Sequence, residues 1–148
     1  MDLPARKRMD HAPPDWIGPE ADYFITACSE PRGVNQFCNL KVGSAIFESI
    51  SYRNKAGIWF CHLALLMPDH IHLLVNFPDI PFFSRVIGDW KHWLSRQHSI
   101  SWQENFFDHR IRKEESFGEK AEYILQNPVR AGLIDKAENW PYVWIAGR

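Results

Sequence analysis

The sequence is short of cysteine: Cys28, Cys38 and Cys61 are all that 148 residues contain, and no two stand in C-x-x-C spacing. An odd count without that spacing supports neither a disulfide framework nor a cysteine zinc module. It fits isolated reduced thiols in a cytoplasmic protein. Long apolar runs are also missing. No stretch approaches the roughly 18–20 apolar residues of a membrane span, so no membrane partner is expected. Arg6-Lys7-Arg8 precedes no apolar segment, so the first residues do not read as a secretory signal. There is no excess of positive charge: 17 basic residues face 18 acidic ones, for a net charge of −1. That argues against a generic polyanion binder, whose affinity comes from neutralising phosphates. Internal repeats and low-complexity tracts are absent.

What is abundant is aromatic. Seven tryptophans and ten phenylalanines are many for one domain of this length, and core is the default place for each. Residues 1–20 carry Pro4, Pro13, Pro14, Gly18 and Pro19 and read as a flexible tail, leaving residues 21–148 as a single domain. Tyr23–Cys28 is β-branched and aromatic and reads as a strand. Leu40, Val42, Ile46, Phe47 and Ile50 recur at helical spacing. Ile58–Leu66 and His70–Phe77 are apolar strands joined by Pro68-Asp69, hence antiparallel neighbours. With a two-residue loop, His62 falls opposite Val75 on the apolar face as a core histidine. Phe83, Val86, Ile87, Trp90 and Leu94 mark a helix from about residue 80 to 97, and a short strand is expected near 108–112. Ser116 and Glu119 have the spacing of a capping box that opens a last helix, with Phe117, Ala121, Ile124 and Leu125 as its buried stripe. Pro128 disfavours helical backbone at Asn127 and can open a further short turn that Gly132 closes. The Trp140-Pro141-Tyr142-Val143-Trp144 tail is expected to pack back onto the domain. Hairpin pairing with crossover helices predicts an α+β fold, an antiparallel sheet with helices packed on one face.

Two stretches carry chemistry. In Met67-Pro68-Asp69-His70-Ile71-His72, strand alternation sends His70 and His72 to one face and Ile71, Leu73, Val75 and Phe77 to the other. Neighbouring imidazoles on a strand are half of a metal site, or two satisfied histidines on an open face. On the last helix, Tyr123 lies roughly 145° from the centre of the buried stripe at about 100° per residue. Asn127 is its i+4 neighbour and Lys120 its i−3 neighbour, so the three share a polar flank. A tyrosine there is either surface decoration or a phenol aimed at something.

Taken together, His70-Ile71-His72 and Tyr123-Ile124-Leu125-Gln126-Asn127-Pro128-Val129-Arg130-Ala131-Gly132-Leu133 resemble the single-tyrosine HUH transposases, closest to their REP-associated tyrosine branch. The resemblance runs from Tyr23 through Trp102 and Phe106-Phe107-Asp108 to Trp140-Pro141. It implies a ferredoxin-like, RRM-like sheet with the histidine pair on a central strand. It implies Mg²⁺ or Mn²⁺ held by His70, His72 and Asn127, with Tyr123 as the nucleophile that cleaves single-stranded DNA through a 5′-phosphotyrosine. The implied partner is a DNA hairpin, often a REP-like palindrome, bound by a monomer or homodimer. Backbone contacts are expected from the locally basic 85–113 stretch, with Lys91, Arg110 and Arg112 favoured, and from Lys120 and Arg130 beside the tyrosine. Two other readings stay open: a non-catalytic hairpin-binding protein, and a hydrolytic metal-dependent phosphodiesterase.

Overall fold

The computed structural model describes residues 22–78, 82–111 and 114–148, with side chains 114–116 excepted. The reading of residues 1–20 as a tail lies outside that set. The chain runs β1 (Asp22–Cys28), α1 (Leu40–Lys55), β2 (Phe60–Leu66), β3 (His70–Asn76), α2 (Phe83–His98), β4 (Phe107–Ile111), α3 (Glu114–Leu125), α4 (Asn127–Arg130) and β5 (Val143–Ile145). The strands form one sheet in the order β4-β1-β3-β2-β5, every neighbouring pair antiparallel. The first six elements make a split βαβ arrangement, so the fold is α+β and ferredoxin-like. β3, which bears the histidines, is the central strand of the five.

Alternation along the strands builds two cores. Ile25, Ile71, Leu73, Val75 and Phe77 face α1 and α2, where they meet Ile46, Ile50, Ile87, Trp90 and Leu94. Each fully buried side chain of this size contributes about 1.5–3 kcal/mol. The indoles find partners: Trp90 Nε1 donates to Ser49 Oγ at 2.9 Å and Trp59 Nε1 to the Ile50 carbonyl at 3.4 Å. The opposite face carries Leu63, Leu65 and Leu74 beneath Phe117, Ala121, Ile124 and Leu125 of α3. The buried stripe of the last helix is therefore the predicted one.

Three sequence readings need correcting, and a fourth is sharpened. Helices do not all lie on one face: α1 and α2 share one, and α3 covers the other. The physical reason is composition, since Leu63, Leu65 and Leu74 make the second face apolar as well. His62 does not oppose Val75, because the β2–β3 register shifts between Cys61 and Leu63 and places Cys61 there. The bulge turns His62 to the α3 side, against Phe117 and within 3.3 Å of Asp22 Oδ1. α3 starts at Glu114, before Ser116, so Ser116 lies within its first turn rather than at its cap. The tail does pack back, but as a fifth strand, with Ile145, Trp144 and Val143 opposite Leu63, Ala64 and Leu65.

The break after α3 falls one residue before the position Pro128 predicts, at Gln126, and Asn127 is itself helical. α3 stops at Leu125, Gln126 turns, and α4 opens with Pro128 in its first turn. Gly132 closes it at φ 75°, a left-handed conformation that costs glycine little.

Candidate metal and tyrosine site

His70 and His72 project from β3 on the face that α3 covers. Their rings stand edge to face with centroids 4.8 Å apart. Each Nδ1 is held from behind. Thr26 Oγ1 lies 2.9 Å from His72 Nδ1, across the β1–β3 pair in which Thr26 opposes His72. His70 Nδ1 donates to Asp69 Oδ1 at 2.9 Å. Asp69 is itself clamped: Arg32 Nε donates to Oδ2 at 2.9 Å and the Gly33 amide to the same oxygen at 2.8 Å. Burial alone would raise the Asp69 pKa. The bonds from Arg32, His70 and Gly33 outweigh it and hold the carboxyl well below the usual range.

With both Nδ1 atoms engaged, the two Nε2 atoms turn toward one residue. Asn127 Nδ2 lies 3.5 Å from His70 Nε2 and in closer contact with His72 Nε2. Half a turn of the amide presents Oδ1 to the same place. Burial pushes the His72 pKa down to about 3, with His70 and Arg130 adding to the effect. His72 is thus a neutral imidazole at physiological pH, the form that ligates metals.

Tyr123 is exposed at 52%, and its ring shares a neighbour with the histidines. Phe24 lies 5.3 Å from His72 and 6.1 Å from Tyr123, centroid to centroid. The Arg130 guanidinium stacks 3.9 Å from the centre of the Tyr123 ring and donates to the Tyr123 carbonyl at 2.6 Å. Lys120 Nζ sits 5.8 Å from the Phe24 ring centre. Two cations therefore flank the tyrosine on the histidine face. The structure brings together His70, His72 and Asn127, and sets Tyr123, Lys120 and Arg130 around them.

The remaining predicted DNA contacts do not join this group. Lys91 is buried, and its ammonium donates to the carbonyls of Gln103 at 3.0 Å and Asn105 at 3.3 Å, with Trp102 and Phe106 beside it. The expectation of a phosphate contact there is corrected: Lys91 ties α2 to the loop before β4. Its pKa is lowered by that burial. Replacing Lys91 with Met should lower stability by about 1–3 kcal/mol, because two carbonyls lose a donor. Urea denaturation measures this, and hairpin affinity should stay unchanged. A weaker hairpin complex at unchanged stability would restore the phosphate role. Arg110 opposes Tyr23 in the β1–β4 register, on the α1/α2 side of the sheet, so it does not join the histidine group. Alternation decides this: Phe107 and His109 take the histidine face instead. Arg112 lies outside the described residues.

Sequence reading missed Thr26, Asp69, Arg32 and Phe24. The signal for Thr26 and Phe24 was present, since both share strand parity in β1. Which face that parity selects requires the β1–β3 register. Asp69 read only as a turn residue.

A central-strand His-x-His pair, an amide and an exposed helical tyrosine therefore lie on one face of a ferredoxin-like sheet. The chain is similar in sequence to two REP-associated tyrosine transposases. It is 30% identical over 94 residues to a Haemophilus influenzae protein described as "Putative REP-associated tyrosine transposase", covering 52% of this chain and 53% of the relative. It is 28% identical over 86 residues to the REP-associated tyrosine transposase of Escherichia coli K12, covering 53% and 49%. The chain thus aligns with about half the length of these relatives. The fold matches a solved REP-associated tyrosine transposase bound to a REP hairpin, with a TM-score of 0.65 at 21% identity over 90% of this chain and 81% of that one. No protein-family model matches the chain. Among the described residues, no helix is long and apolar enough to cross a membrane.

Proposed function

We propose that this protein binds DNA hairpins with single-stranded flanks and cleaves and transfers one strand through Tyr123. The observation that carries the reading is the convergence of His70 Nε2, His72 Nε2 and the Asn127 amide on the face that also presents Tyr123. The Asn127 amide is the further donor beside the two imidazoles in this reading. Two neutral imidazoles and an amide oxygen fit a labile Mg²⁺ or Mn²⁺ that keeps positions open for phosphate oxygens. Such an ion would polarise the scissile phosphate and offset charge that builds in the transition state.

The chain's own groups do the rest. Asp69 and Thr26 fix the ring planes and leave both Nε2 lone pairs forward. Arg130 holds the Tyr123 ring and, with Lys120, adds positive charge beside it. Tyr123 Oη attacks phosphorus, an Oη–P bond forms, and the bond to the 3′ oxygen breaks. The products are a 5′-phosphotyrosine and a free 3′-OH, the phenol proton passing to solvent and the leaving 3′ oxygen taking one up from it. Attack by another strand's 3′-OH reverses the step without an external energy source. This reversibility is the chemical reason for a tyrosine rather than water.

The test is incubation of the full chain with a pool of single-stranded DNA hairpins and Mn²⁺, followed by denaturation and sequencing of whatever stays attached. A covalent, sequence-selective adduct supports the reading. Cut DNA without an adduct points to hydrolytic phosphodiesterase chemistry. Binding without cutting points to a non-catalytic hairpin binder.

A further inference from the structure

Phe106 and Phe107 are adjacent in sequence, and the sheet separates them. Phe106 packs into the α1/α2 core, 6.3 Å from Phe83. Phe107 takes the other face and is exposed at 68%, the highest value for any aromatic side chain among the described residues. A ring left in water contributes little to the core, and what makes this one informative is where it stands on the sheet. Phe107 opposes Thr26 in β4–β1, and Thr26 opposes His72 in β1–β3. Directly opposed residues share a face, and two strand spacings separate Phe107 from His72, about 10 Å between backbones. Thr26 bonds to His72 Nδ1, which confirms the shared side. The cations come from the helices: Lys120 Nζ lies over the Phe24 ring of β1 and the Arg130 guanidinium over Tyr123. Phe107 shares this face on the neighbouring edge strand, β4.

We propose that Phe107 is a stacking platform for one unpaired nucleobase beside the phosphate held at His70 and His72. This deepens the strand-transfer reading and rests on it. A base hangs one sugar away from its phosphate, within reach of a ring two strands across. The cations would take the backbone and Phe107 the base, the division of labour by which single strands are held without sequence reading. Flat sheet surfaces with exposed aromatics serve this purpose because every base has a π-face.

The experiment uses the full chain carrying Tyr123→Phe, so that no strand is cut, and a hairpin recovered by covalent capture. The hairpin has single-stranded tails in which one base at a time is 2-aminopurine. At one tail position fluorescence should be quenched on binding. Phe107→Ala and Phe107→Leu should abolish that quenching, and Phe107→Trp should restore it. Phe107→Ala should weaken binding of the tailed hairpin about tenfold, within the range measured for one base–aromatic stack. Binding of a hairpin without tails should not change. Equal quenching and affinity in Phe107→Ala would overturn the proposal, as would equal losses on tailed and tail-less hairpins. A DNA-free dimer in sedimentation that Phe107→Ala dissociates would assign the ring to a second copy of the chain instead. If the parent chain binds no hairpin, the strand-transfer reading fails first and the platform with it.

Discussion

Tyr123→Phe is expected to form no covalent adduct with hairpin DNA, at least about a thousandfold below the unaltered chain, as when a nucleophile is removed elsewhere. Hairpin affinity should hold within about twofold, because one hydroxyl on a half-exposed ring contributes little to binding. The ring itself stays. Its contacts with Arg130 and Phe24 do not involve the oxygen. The fold should therefore be unchanged, and the variant separates chemistry from binding. Denaturing gels with end-labelled hairpin read the first quantity and fluorescence anisotropy the second. A full-strength adduct in the Phe variant would move the nucleophile to another residue.

A graded change in Mn²⁺ affinity is expected across the histidine site, read by calorimetry on the unliganded full chain. His72→Ala should abolish measurable binding, since it removes one of only two imidazole donors. Asp69→Ala should weaken it roughly tenfold or more, the usual cost of losing a residue that orients a ligating histidine. Asp69 touches no metal in this scheme; it holds His70 Nδ1 and is held by Arg32 and Gly33. Asn127→Asp should move the other way, to tighter binding, because a carboxylate is the better ligand for a hard cation and can accept where the amide must rotate. Adduct formation should track the series at its lower end. No Mn²⁺ signal in the unaltered chain, or one indifferent to His72→Ala, would remove the metal from this site and favour a hairpin-binding role.

Several elements were legible from local pattern alone. The stripe Phe117, Ala121, Ile124 and Leu125 is the buried face of α3, and the apolar partners Ile71, Leu73 and Val75 are the buried face of β3. Pro128 and Gly132 marked the short turn after α3, because proline fixes its own φ and glycine accepts a left-handed conformation at little cost. Lys91 was misread for the opposite reason. A lysine in a basic stretch looks solvated, and only the neighbouring carbonyls of Gln103 and Asn105 show that it is buried and bonded. His62 was misplaced because a single bulged residue changes which face a side chain takes, and a bulge leaves no mark in composition. β5 escaped notice because three residues are too few for a period to show.

By itself the sequence determined which residue types could do chemistry and how each is presented locally: two imidazoles on one side of a strand, a phenol and an amide one helical turn apart. These follow from covalent periodicity, which is fixed at two residues in a strand and 3.6 in a helix. Tertiary structure alone decided that α3 packs on the second sheet face. That burial brings Asn127 to the Nε2 atoms of His70 and His72 and sets Tyr123 beside Phe24. It also decided which of two adjacent phenylalanines stays in water. Such juxtapositions depend on register and layer packing between segments dozens of residues apart, and no local period encodes them.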